Sequence, residues 1–112
     1  MSNETIYAIY KSPGHEAYET FVPNTLEGLQ SIVGGYIETV TFAADMVVIC
    51  NEEGRLLGLP HNCSICGVDF CGPILLVSIK GDSFCDFPLD NFEDAVRLFP
   101  SLLDVSSETE EA

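Results

Sequence analysis

The sequence predicts an α+β domain, an antiparallel sheet of about four to six strands with two helices packed against it. Strand-turn-strand patterns are local and crossovers few, and two segments pair a capping residue with apolar residues at helical spacing. A chain of 112 residues with 46% hydrophobic content is long enough for one compact domain and too short to divide into two domains. The expected organisation is a single α+β domain over 1–105 and an acidic flexible tail over 106–112.

Ile6 to Tyr10 is β-branched and aromatic and stops at Ser12-Pro13-Gly14, which marks a first strand and its turn. After a polar link, Asn24 stands as a cap three residues ahead of Glu27, and Leu26, Leu29 and Val33 recur at helical spacing. Gly34 closes that helix from the C′ position, and Gly35 lets the chain reverse into an extended segment without a Cβ penalty. Tyr36 to Phe42 alternates. With Ala44-Asp45 as a two-residue loop onto Met46 to Asn51, Phe42 would face Val47, Val40 would face Ile49 and Glu38 would face Asn51. Asn51-Glu52-Glu53-Gly54 suits a type I turn closed by a left-handed residue, with Arg55 to Leu59 returning as a third strand. Pro60 to Gly72 reads as a cysteine-rich loop, and Pro73 to Ile79 as an apolar central strand. A turn at Lys80 to Ser83 leads to a short edge strand at Phe84 to Phe87. Asp90, three residues before Glu93, then starts a helix whose buried stripe is Phe92, Ala95, Val96 and Phe99, limited by Pro100.

Eighteen acidic residues stand against four basic ones, Lys11, Arg55, Lys80 and Arg97, for a formal charge of -14. A cationic groove for phosphates cannot be assembled from so few cations, which excludes direct nucleic-acid binding and contact with anionic membrane. The same field attracts a basic protein surface. No stretch approaches the roughly 20 apolar residues of a membrane span, and Met1 to Ser12 lacks the pattern of a secretory signal, so a cytoplasmic protein is expected. Five cysteines, Cys50, Cys63, Cys66, Cys71 and Cys85, are an odd number and fit reduced thiols better than a disulfide framework.

The segments Leu29-Gln30, Val33 to Glu38, Asn51 to Gly54, Leu57 to Pro60 with Asn62, Cys71-Gly72 and Asp82 to Cys85 together resemble the family filed as domain of unknown function 3846. The resemblance spans about Leu29 to Phe99. It implies a small α+β domain carried by phages and mobile elements, with no established catalytic residues. Cys63-Ser64-Ile65-Cys66 departs from the family pattern.

That Cys-x-x-Cys pair has the spacing of a zinc knuckle, but two more ligands would have to come from His61, Cys71 and Cys85. The candidate metal set is therefore Cys63, Cys66, Cys71 and Cys85, weighed against buried and loop thiols, which the sequence favours. A Cys-His dyad from His15 or His61 is disfavoured because neither is placed to serve as a base. Glu38 shares the face of Tyr36, Val40 and Phe42, so it needs a partner there. A structural pair with Asn51 is favoured over a small polar binding site of Tyr36, Glu38, Asn51 and Asn62. The acidic face expected to meet a partner is Asp82, Asp86, Asp90, Glu93 and Asp94.

These features favour a non-enzymatic accessory protein of a phage or mobile element that binds stoichiometrically, as an acidic inhibitor of a host nucleic-acid-binding or defence protein. The alternatives are a protein that sequesters a small ligand such as a nucleotide signal, and a zinc-stabilised module.

Overall fold

A computed structural model describes residues 5–42, 45–89 and 91–105. The strands are β1 (Thr5–Lys11), β2 (Tyr18–Pro23), β3 (Ile37–Phe42), β4 (Met46–Asn51), β5 (His61–Ile65), β6 (Val68–Cys71), β7 (Ile74–Lys80) and β8 (Ser83–Cys85). Helix α1 (Leu26–Val33) follows β2, and α2 (Phe92–Leu98) follows β8 and leads into a 3₁₀ turn at Pro100–Leu103. Six strands form one antiparallel sheet in the order β2-β1-β7-β4-β3, with β8 also paired to β7, and β5-β6 is a separate hairpin. The α+β expectation holds, and the apolar strand β7 lies at the centre of the sheet, between β1 and β4.

Alternation along the strands sends side chains to two cores. Ile9, Val48, Cys50, Ile74 and Leu76 pack with Cys63, Ile65 and Phe70 of the small hairpin and with Ala95, Phe99 and Leu102 of the C-terminal segment. On the opposite face Ile6, Ala8, Val47, Ile49, Leu75 and Val77 receive Leu29 and Val33 of α1. Each helix therefore buries its stripe on a different face of the sheet, which makes a three-layer domain.

Strand β8 takes the place beside β7 that the start of β1 would otherwise fill: β1 pairs Ile74 to Leu76, and β8 pairs Ser78 to Lys80. The backbone of Tyr7 is satisfied instead by the Asp86 carboxylate, which accepts from its N–H at 2.9 Å, and by the Phe87 N–H, which donates to its carbonyl at 2.9 Å.

Several local expectations are corrected. The β3-β4 register pairs Glu38 with Cys50, Val40 with Val48 and Phe42 with Met46, so the connection spans three residues rather than two and Glu38 does not face Asn51. Arg55 to Leu59 is no strand. Leu57 N–H donates to Glu53 O at 2.8 Å and Leu59 N–H to Gly54 O at 3.0 Å, coiling the segment into successive turns. The cysteine-rich segment expected as a loop is the β5-β6 hairpin, turned at Cys66 and Gly67, both at positive φ. The polar link contains β2, whose alternation is masked by exposed Tyr18 and Phe21. The cap of α1 is Thr25, accepting from Gly28 N–H at 3.0 Å, while Asn24 donates to Phe84 O. Asn91 caps α2 by accepting from Asp94 N–H at 2.9 Å. The proposed start at Asp90 and the 106–112 tail lie outside the described residues.

Candidate functional site

Helix α1 ends with Gly34 in the left-handed region, and its last turn leaves the Val33 carbonyl without a helical partner. Asn51, at the end of β4, supplies one: Asn51 Nδ2 donates to Val33 O at 3.2 Å, and Asn51 Oδ1 accepts from Glu53 N–H at 2.7 Å. Gly35 makes room for that side chain, because a Cβ there would stand 2.9 Å from Asn51 Nδ2. The need for glycine at Gly35 is thus a close approach, not a left-handed backbone. Gly54 is likewise not left-handed, and a Cβ on it would come within 2.7 Å of the Cys71 carbonyl. The Val33 to Glu38 and Asn51 to Gly54 segments meet here as one interlocked corner.

Two concavities open beside this corner. A cleft of about 200 Å³ lies between the β3 end of the sheet and β6, with Glu38, Val40, Cys50, Glu52, Arg55, Asp69 and Phe70 among its lining. Burial, reinforced by the Glu38 carboxylate, pushes the Cys50 thiol up to about 11, and its Sγ lies 3.6 Å from Glu38 O. Asp69 is held below the usual carboxylate range, first by the Ser64 hydroxyl that donates to it and then by His61, whose Nε2 lies 3.6 Å away. The second, about 250 Å³, is lined by Gln30, Gly34, Gly35, Tyr36, Asn51 and Leu57.

Of the four expected binding residues, Glu38 and Asn51 line the first cleft and Tyr36 and Asn51 the second, while Asn62 is elsewhere. Asn62 is wholly buried against Lys11, also wholly buried. Lys11 Nζ donates to Asn62 Oδ1 at 2.9 Å, and Asn62 Nδ2 donates to Lys11 O at 2.9 Å and Gly72 O at 2.8 Å. Desolvation lowers the Lys11 pKa, opposed by the nearby Cys63 and Asp104. Nothing in the strand pattern marks Lys11 as internal except its parity with Tyr7 and Ile9.

On the expected acidic face, Asp82, Asp86 and Glu93 are exposed. Asp86 also braces Tyr7, and Asp94 meets Arg97 at 3.3 Å. Asp90 lies outside the described residues. The cysteines of the candidate metal set are spread apart in environment: Cys63 is buried in the core, Cys66 is exposed at the hairpin turn, and Cys71 and Cys85 are half-buried on β6 and β8. Among the described residues no group of three or more His, Cys, Asp or Glu side chains is placed to hold a metal ion.

A model of the domain of unknown function DUF3846 matches residues 6–100, nearly the whole described fold. The chain belongs to the DUF3846 family. Neither a curated protein nor a solved structure matches it. The Val33 to Glu38 and Asn51 to Gly54 segments of this DUF3846 domain build the Asn51 corner, so their first role is architectural: they join α1, β3 and β4 and shape the mouths of both clefts. No helix among the described residues is long and apolar enough to cross a membrane.

Proposed function

We propose that this DUF3846 domain is a non-enzymatic binding protein that engages a basic surface of a partner protein stoichiometrically, in the setting of a phage or mobile element acting on a host nucleic-acid-binding or defence protein. The observation that carries this reading is the sign of the surface. Of the four cations among 112 residues, Lys11 is wholly buried, so the exposed cations reduce to Arg55, Lys80 and Arg97, and Arg97 is paired with Asp94. All described carboxylates except Asp94 and Asp104 are exposed. Such a surface steers basic partners and repels phosphate.

The nucleotide-sequestering alternative draws no support from the clefts. The first sets Glu38, Glu52 and Asp69 against a single cation, Arg55, and the second sits at the C-terminal end of α1, the negative end of its dipole. The test is affinity capture from host lysate at about 50 mM and about 500 mM salt, with mass spectrometry of bound protein and small molecules. A protein captured at low salt and lost at high salt supports the proposal. Capture of a nucleotide without protein moves the case to sequestration.

A further inference from the structure

Resting on that reading, we propose that the free edge of β3 is a strand-docking site, taking an extended basic segment of the partner protein as an added strand whose cationic side chains enter the cleft of Glu38, Glu52 and Asp69. Strand β3 is the last of the sheet, and no described element pairs with its outer side. Its backbone polarity follows from one bond. Tyr36 O accepts from Glu52 N–H at 2.8 Å, and the β3-β4 register is regular from Ile37 to Phe42. Antiparallel pairs alternate, so Glu38, Val40 and Phe42 exchange their hydrogen bonds with β4, and the N–H and C=O groups of Ile37, Thr39 and Thr41 point outward.

This edge carries one of the usual devices against pairing, the charge of Glu38, and lacks the others. Ile37 to Phe42 contains no lysine and no proline, carries no bulge against β4, and is almost entirely β-branched or aromatic. Its single charge, Glu38, lies on the cleft face, where Val40 is also found. On the other face Thr39 and Thr41 are exposed. In a strand added beside β3, alternate residues therefore project over the cleft and meet Glu38 directly, with Glu52 and Asp69 beyond, while the intervening residues lie along the threonines.

Charge decides the occupant. A second copy would set one chain of formal charge -14 against another and place carboxylates on both sides of the new pair, whereas a basic strand neutralises the net negative charge left by Glu38, Glu52 and Asp69 against the cleft's own cation, Arg55. The opposite edge, β2, borders a groove of Tyr10, Tyr18, Phe21 and Ile32, with no comparable carboxylate set to name its partner.

The test uses the full chain and a synthetic peptide of about nine residues alternating lysine and threonine, long enough to span one strand. Amide exchange is followed by NMR at about 50 mM salt. Exchange at Ile37, Thr39 and Thr41 is expected to slow by about tenfold or more when the peptide binds. A peptide of the same sequence, N-methylated at alternate residues so that it cannot donate to β3, should give no slowing. Thr39→Pro removes one outward donor without touching the β4 ladder and should abolish the protection. Glu38→Lys, at an exposed side chain, is the independent variant and should weaken the peptide by about tenfold. Binding with unchanged exchange at those three amides overturns the docking site and leaves the acidic-surface reading standing. Protection that grows with the protein's own concentration in the absence of peptide also overturns it, by identifying a second copy as the occupant. Failure of the peptide to bind at all overturns both.

Discussion

Replacing Asn62 with leucine should be among the most damaging single changes available to this domain. The carboxamide serves three buried groups at once: Lys11 Nζ at 2.9 Å, Lys11 O at 2.9 Å and Gly72 O at 2.8 Å. Lys11 Nζ keeps only a long bond to Ser12 O at 3.4 Å, each buried group that loses its partner costs about 1 to 3 kcal/mol, and the added apolar side chain returns about 1 kcal/mol, for a net loss of about 4 kcal/mol. A domain of this size is stable by about 5 to 15 kcal/mol, so a large share of the total is lost. With a urea slope of about 1.5 kcal/mol per molar, the midpoint should fall by about 2.5 M. Lys11→Met keeps the stem and removes the buried charge, leaving Asn62 Oδ1 without its donor, so it should cost about 1 to 2 kcal/mol. The double variant should lose less than the sum of the two. An Asn62→Leu loss below about 1 kcal/mol, or strict additivity with Lys11→Met, would refute the claim that the two side chains form one buried unit. The same pair carries a pH signature. Burial lowers the folded Lys11 pKa below its ordinary 10.5, so the unfolded chain binds more protons between the two values. Stability gained from this group therefore rises with pH through that window, and Lys11→Met should remove the rise.

Cys50 titrates with the opposite sign. Its folded value of about 11 exceeds the ordinary 9.0, so its contribution is complete below pH 9 and is lost as pH rises towards 11, a loss on the order of 2 kcal/mol that Cys50→Ala should abolish in urea titrations at stepped pH. Gly35→Ala should destabilise by about 1 to 3 kcal/mol because its Cβ would sit 2.9 Å from Asn51 Nδ2, and the loss should shrink in an Asn51→Ala background when both are measured by thermal unfolding. Among the thiols, exposed Cys66 should react with a disulfide reagent at the rate of a free peptide thiol, while Cys50 and Cys63 should react only on unfolding. Fast labelling of all five in the native protein would contradict the two-core packing.

Local physics made much of the fold legible. Strand β7 announces itself as an apolar run, α1 by its helical spacing with Gly34 behind it, and α2 by the stripe of Phe92, Ala95, Val96 and Phe99. The features that failed were those set by partners distant in sequence. The β3-β4 register turned on one extra loop residue, and a one-residue change moved Glu38 from Asn51 to Cys50. The segment from His61 to Cys71 looks like a loop because its turn residues and thiols outweigh its alternation, yet Cys63, Ile65 and Phe70 find the core of the large sheet.

Periodicity and net charge act over a few residues or over none, so the chain alone carries the class of the domain, its net charge and the presence of both helices, whereas the capping residues, Thr25 for α1 and Asn91 for α2, emerged only in the fold. The folded arrangement alone brings Lys11 and Asn62, 51 residues apart, together so that they satisfy each other in the interior. It also placed Gly35 where it yields space to Asn51, and β3 at the end of the sheet with the backbone N–H and C=O groups of Ile37, Thr39 and Thr41 pointing outward. Hydrogen-bond demand in a buried place must be met by whatever group the fold brings near, and a strand becomes an edge only when the rest of the sheet has been laid down beside it.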